Sequence, residues 1–585
     1  MPSIRVDDMT SASQKGFVGM DSPKPQNFDR LLAAALGVVA AAYLVYGLYA
    51  MAVWTPRVLY SDQWRQYLTF LTVDFPANVF LPYNGHRLVL PNLVAWIDAI
   101  AFGGEHGLQL FFGWCAVLAA IAVAAFACVR DREVVPLARA AGATLAVFAI
   151  IWLGCTRTLA HTGELMHVYP TIAFALGAVA CAWRAAVAPS RGGRWLAVAL
   201  ACSFAATNTM GYGLATFVAV IATLVLARAP RRLVAVAVAG LVLAALYYLG
   251  SRGSDNVSGS LAIDPLGNLE VAVRWLGAPA GTVAPYIWEE NSSYLLPGFA
   301  QNTARALSAW MRAHVTADVA LSAWPQALTG GLGVLLALVL TWRTLRAVQP
   351  PTRMRVFGLG VAWFGLTAAG ILSLSRLAYF QEFPEQIYAN RYLPWPMLFW
   401  LGISLALLGG RHAGRVASRV LAGGALLLVL AAAPAGRGGY ITAMLVRGHV
   451  DNTAAGVATG VLPRGAFLGD TLVEDVIPAV PVLKAAGHPP FSWRETQALG
   501  TVAPSDARAV EGTLEATSVD NLFDGGGYEV KLTLPEGKTP PWRAVLVDGE
   551  RHVVGIVVRD PRPGPFVMSG YARDTGTPVA ALVLP

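Results

Sequence analysis

The sequence predicts a polytopic α-helical membrane protein of about 11 transmembrane helices, followed by a C-terminal extramembrane β-sandwich-like domain. Three observations lead there. Hydrophobic residues make up 56% of the chain and charged residues 13%, against roughly 25% charged in soluble globular proteins. Ala, Leu and Val dominate runs of about 20 residues, the length that crosses about 30 Å of hydrocarbon as helix. From about residue 510 the pattern changes to short alternating runs, YEVKLTL (528–534), RAVLVDG (543–549) and HVVGIVV (552–558), punctuated by Gly, Pro and Asp. That is strand-and-turn patterning.

In chain order, residues 1–30 are polar and read as a disordered cytoplasmic N-terminus. Spans are expected at about 31–53, 107–129, 139–154, 169–188, 195–208, 211–227, 233–250, 327–345, 356–374, 393–410 and 416–434. Leu31–Val53 is too long for a signal-peptide core and reads as an uncleaved first span. The apolar segment 88–103 is read as a helix on or dipping into the membrane, because counting it as a span would place RDREVVPLAR outside. The membrane part is thus 31–434, with extracytoplasmic loops 54–106 and 251–325. Residues 435–585 form an extracytoplasmic C-terminal region, mixed helix and loop at first and then β.

Charge supports this arrangement. With a cytoplasmic N-terminus the inside segments hold 20 Lys or Arg and the short outside loops hold 6, as the positive-inside rule requires. The net charge of +8 therefore belongs to membrane orientation, and no nucleic-acid partner is expected. The five cysteines lie in or beside apolar runs without a CxxC pair and read as small buried hydrophobes. No Walker motif or strand-then-GxGxxG unit is present, and the polar clusters all fall on the external side.

The densest cluster is Trp54–Asn92. Asp62 lies about eight residues beyond the first span, close to the outer membrane surface, where a carboxylate can take a proton from an attacking hydroxyl. A cap or a solvated Asp is the plain alternative. Asn84, His86 and Arg87 end the loop, and a guanidinium fork suits a phosphate; lipid-headgroup anchoring is the alternative. Arg376 and Arg391 flank the last external loop, with Tyr388 between them, and read either as a lipid-phosphate site or as snorkelling cations. His161, Glu164 and His167 form HxxExxH. Imidazoles six residues apart converge poorly on a metal, so this trio is expected to line a substrate cavity, with Trp64, Asn84 and Tyr388 also contributing. Trp275, Tyr286, Trp288, Tyr294 and Trp310 of the long loop cover a cleft or belt the interface, and Glu289 and Glu290 compete with Asp62 for the acidic role. Thr209–Gly213 echoes a potassium-channel filter but lacks the preceding pore helix, and reads as a tight hairpin.

The order of a first span, a loop with a membrane-proximal acid, surface helices, many further spans and an external domain resembles the GT-C superfamily. The words SDQW (61–64), NGHRLVLPNL (84–93) and NRYLPWPMLFW (390–400) also resemble bacterial GT-C-like membrane proteins. The resemblance implies an inverting glycosyltransferase in a bacterial inner membrane, taking a sugar from a polyprenyl-phosphate donor. The acceptor would be a cell-envelope glycan, lipid or protein on the outer face. It implies Asp62 as base, with His86, Arg87, Arg391 and Arg376 holding the donor phosphate. Gln63 follows Asp62 where that family often has a second acid, so no cofactor is assigned and a divalent metal is left open. The alternative is a non-catalytic glycolipid transporter or polysaccharide-assembly protein.

Overall fold

The computed structural model describes residues 25–83, 86–250, 261–281, 298–314, 323–410, 415–467, 473–523, 525–560 and 567–585. It is mostly helical. Its first twelve helices are α1 (Pro25–Trp54), α2 (Gln63–Thr72), α3 (Ala77–Phe80), α4 (Val89–Phe102), α5 (Gly107–Val129), α6 (Pro136–Ile150), α7 (Thr156–Ala160), α8 (Thr162–Val187), α9 (Gly192–Thr207), α10 (Ala215–Leu226), α11 (Arg231–Gly250) and α12 (Pro265–Leu276). The helices Gly298–His314, Trp324–Arg346, Arg353–Glu382, Pro394–Leu408, Arg415–Ala431, Ala433–Thr459 and Val473–Ala486 follow.

Among the described residues, nine helical segments are long and apolar enough to cross a membrane. The predicted spans 195–208 and 211–227 correspond to α9 and α10, of only 16 and 12 residues. The segment 88–103 does form a helix, α4. Exposure fits hydrocarbon surroundings: Leu243 and Leu246 of α11 and Val38 of α1 stand open on the outside of the bundle, where water would penalise so large an apolar surface. The interior is close-packed. Between the helices Arg353–Glu382 and Pro394–Leu408, a Cβ on Gly358 would meet Gly402 O and Ala406 N at 2.6 Å, so only glycine lets these backbones approach.

Chain direction sorts the links to two ends of the bundle. The segments after α1, before α8, between α9 and α10, and after Arg353–Glu382 share one end, with the Arg-rich links 130–139, 184–194, 228–232 and 343–355 at the other.

The C-terminal region departs from two expectations. The boundary expected at residue 435 falls inside a helix, since Ala433–Thr459 continues almost directly from Arg415–Ala431. There is also no two-sheet sandwich among the described residues. Instead β1 (Arg508–Ala509), β2 (Thr513–Val519), β3 (Gly527–Thr533), β4 (Arg543–Val547), β5 (Val553–Arg559), β6 (Val567–Arg573) and β7 (Ala580–Val583) form one curled antiparallel sheet in the order β1-β7-β4-β5-β6-β3-β2. The reason is that β5, VVGIVVR, is buried along almost its whole length. Ile556 and Val558 pack on Ala454, Ala455 and Ala458 of the helix Ala433–Thr459, while Val554 and Val557 join the core inside the curl. A helix covers the face that a second sheet would otherwise occupy.

The helix Val473–Ala486 returns to the bundle and packs on α2, where Trp64, Tyr67 and Phe70 meet Val476, Ala479 and Leu483. The C-terminal region therefore sits at the same end as the Trp54–Asn92 stretch.

Candidate functional site

Asp62 immediately precedes α2; its carboxylate does not cap the helix, and the residue lines a cavity. Its main-chain neighbours are well held. Gln63 Oε1 accepts from Tyr60 N at 3.0 Å and its Nε2 donates to Thr162 Oγ1 at 2.9 Å, tying the loop to the start of α8. Arg65 Nη2 lies 3.6 Å from Asp62 Oδ1 and donates to Tyr83 Oη at 2.7 Å; Tyr83 Oη donates to the Asp62 carbonyl at 3.1 Å. Burial, with the Asp62 charge adding to it, pushes the Tyr83 phenol well above its usual range, so it remains a donor. Tyr83 and His86 exchange backbone hydrogen bonds of 2.9 and 2.8 Å, which turns His86 inward toward the Tyr212 ring, 6.2 Å away.

A second wall comes from α7 and α8. Arg157 Nη1 lies 3.0 Å from Glu164 Oε1, and Thr158 Oγ1 donates to Oε2 at 2.8 Å. His161 Nδ1 approaches the same carboxylate at 3.5 Å, with its ring 4.7 Å from that of Tyr60. His161 is the residue before α8 and not within it, so the expected HxxExxH helical face is incomplete. Among the described residues no group of three or more His, Cys, Asp or Glu side chains is placed to hold a metal ion. Both Glu164 oxygens already face donors.

The third wall is cationic. Arg376 lies near the end of the helix Arg353–Glu382, its guanidinium 5.8 Å from the Tyr379 ring. Arg391 donates to Tyr379 Oη at 3.3 Å and Gln386 Oε1 at 3.2 Å.

These walls enclose one cavity of about 260 Å³. Seven of the residues singled out in the sequence line it: Asp62, His86, His161, Glu164, His167, Arg376 and Arg391. Others do not. Trp64 is buried against the helix Val473–Ala486, because its indole faces the apolar side of the amphipathic α2. Arg87 points to α11, donating to Tyr247 Oη at 3.5 Å and lying over that ring, while Tyr247 Oη donates to Asn208 Oδ1 at 2.8 Å. Tyr388 packs against the bundle core from the turn Pro384–Tyr388. Trp275 is wholly buried near Tyr212 and Trp400 NH bonds the end of its helix, so it covers no cleft; Trp310 is exposed on the helix Gly298–His314. Asn84, Tyr286, Trp288, Glu289, Glu290 and Tyr294 lie outside the described residues.

Sequence reasoning missed Gln63, Gln66, Tyr83, Tyr212 and Tyr379 in the lining. Two had a local signal: Tyr379 follows Arg376 by one helical turn, and Tyr212 sits in the hairpin Thr209–Gly213. Tyr83 had none.

Fold and cavity together define a mostly helical chain, suited by length and apolarity to repeated membrane crossing, with a polar cavity of mixed charge at one end of its bundle. No protein-family model, curated protein or solved structure matches the chain.

Proposed function

We propose that this cavity transfers a glycosyl group from a polyprenyl-phosphate donor to a hydroxyl of an envelope glycan, lipid or protein, with inversion. The observation that carries the reading is that Asp62 shares a cavity with Arg376 and Arg391. The acceptor oxygen attacks the anomeric carbon as the bond to the donor phosphate breaks. The acceptor proton passes to the Asp62 carboxylate, and the departing phosphate takes the electron pair and is held by the two guanidiniums. Apolar helices at the cavity's edge suit a donor that arrives within the bilayer. The Lys and Arg excess in the links at the opposite end supports a cytoplasmic N-terminus and an extracytoplasmic cavity, in a bacterial inner membrane.

The test is transfer from a panel of labelled polyprenyl-phosphate sugars by purified protein, wild type against Asp62→Asn, with and without chelator. Transfer should fall by about 10²–10⁴-fold in the variant while donor binding persists. Unchanged transfer in the variant removes Asp62 from the mechanism. Donor binding and movement between leaflets without any transfer would establish the transporter reading instead. Loss with chelator would add a divalent metal to the site.

A further inference from the structure

A second cavity, of about 270 Å³, opens where the end of α1 meets the C-terminal region. It is lined by Arg57 from the stretch after α1, Glu105 from the turn before α5, Arg447 and Asp451 from the helix Ala433–Thr459, and Trp542 and Arg543 at the start of β4. Three guanidiniums converge on it, and two are already matched. Arg447 Nε lies 3.2 Å from Asp451 Oδ2, and its Nη1 donates to the carbonyls of Val53, in the last turn of α1, and Thr55, just beyond it. Its face covers the Trp542 ring at 4.6 Å. Arg543 Nε lies 3.3 Å from Glu495 Oε2, and its guanidinium lies over the Trp493 ring at 4.4 Å.

Arg57 is different. It is half-buried yet makes no hydrogen bond or ion pair with the described residues. Burial, and then the charge of Arg447, lower its affinity for its proton, although a guanidinium stays charged throughout the working range. Glu105, an acid lining the same pocket, is solvent-exposed and acts on Arg57 through its charge without a close ion pair. A rigid fork of donors is thus left unspent beside two further cations, in a pocket roofed by indoles. Such a fork matches the oxygens of a phosphate.

We propose that this pocket is a phosphate-binding site, separate from the Asp62 cavity, in which Arg57 makes the principal contact and Arg447 and Arg543 supply the field. Its position three residues beyond α1 admits a phosphate from either of two sources, a lipid headgroup or a soluble phosphate ester. The inference does not rest on the glycosyl-transfer reading, since it concerns binding alone.

The experiment is calorimetric titration of the purified full chain in a non-ionic detergent with inorganic phosphate, alongside native mass spectrometry for retained phosphatidylglycerol. Arg57→Gln should weaken one phosphate-binding component at least tenfold, and Glu105→Gln should strengthen it by removing a repelling charge. The same component should persist in Arg391→Gln, which reports on the other cavity. Phosphatidylglycerol retained by the wild type and lost from Arg57→Gln identifies the lipid source; phosphate binding with no retained lipid identifies the soluble one. If Arg57→Gln fails to fold, Arg57→Lys keeps the charge without the fork and should bind more weakly than wild type. Equal binding in the wild type, Glu105→Gln and the Arg57 variants, or loss of all binding in Arg391→Gln, overturns the proposal and leaves Arg57 and Glu105 as a solvated surface pair.

Discussion

Arg157 Nη1 lies 3.0 Å from Glu164 Oε1, both side chains almost wholly buried in the cavity wall. Neither charge can be removed alone without stranding the other in a medium that solvates it poorly. Glu164→Gln should therefore destabilise the protein by about 3–5 kcal/mol. Adding Arg157→Met should recover much of that loss, since the uncompensated cation disappears. Melting midpoints of the single and double variants in detergent check this; equal midpoints for the two would show that the pair does not act as a unit.

Asp475, on the helix Val473–Ala486, reaches Arg65 Nε at 3.9 Å, and Arg65 also faces Asp62. The C-terminal region thereby shares the cation that holds the proposed base. Asp475→Ala should release Arg65 onto Asp62 and lower kcat by up to about tenfold, or about 1.4 kcal/mol. KM for the donor should hardly move. Steady-state kinetics on the labelled donor separate the two parameters.

Asp98 is fully buried and organises the approach of α4 to α5. Its carboxylate accepts from His106 N and Leu108 N, both at 3.0 Å, and from Gln109 Nε2 at 3.1 Å. Asp98→Ala leaves these donors without an acceptor, at about 1–3 kcal/mol for each buried group that finds no other partner. The melting midpoint should fall markedly, and proteolysis should first cut the link 103–106 that the carboxylate ties down.

His106 gives the fold a pH dependence. Burial pushes its imidazole down to about 4 from the usual 6.5, with the Asp98 charge opposing the shift only in part. The unfolded chain binds this proton near the ordinary value, whereas the folded protein refuses it until about pH 4. The stability contributed by neutral His106 is thus fully present above about pH 6.5 and is lost as pH falls toward 4, up to about 3 kcal/mol. Melting curves across that window should show the loss in the wild type and a flatter profile in His106→Gln.

Much of the candidate site was legible because its chemistry is sparse. In a chain this apolar, an acid or a cation outside the basic links needs a reason to be there, and Asp62, Glu164, Arg376 and Arg391 all reach one cavity. Side-chain direction was not legible. Trp64 and Arg65 are adjacent, yet the helical turn of α2 sends the indole into the apolar contact with Val476 and the guanidinium toward Asp62. His86 and Arg87 likewise part, one into the cavity and the other onto Tyr247.

Sequence alone determined the class of fold, the helix-forming apolar segments and the grouping of polar loops at one end, because apolarity, helix length and charge in short links are properties of contiguous residues. Tertiary structure decided which polar residues share a cavity, that Trp64 and Trp275 belong to packing, and that the C-terminal strands form one sheet closed by a helix. It also brought Arg57, Arg447 and Arg543, from three distant parts of the chain, around a single pocket. Those outcomes depend on which faces of separate elements meet, and no local pattern in the sequence encodes that meeting.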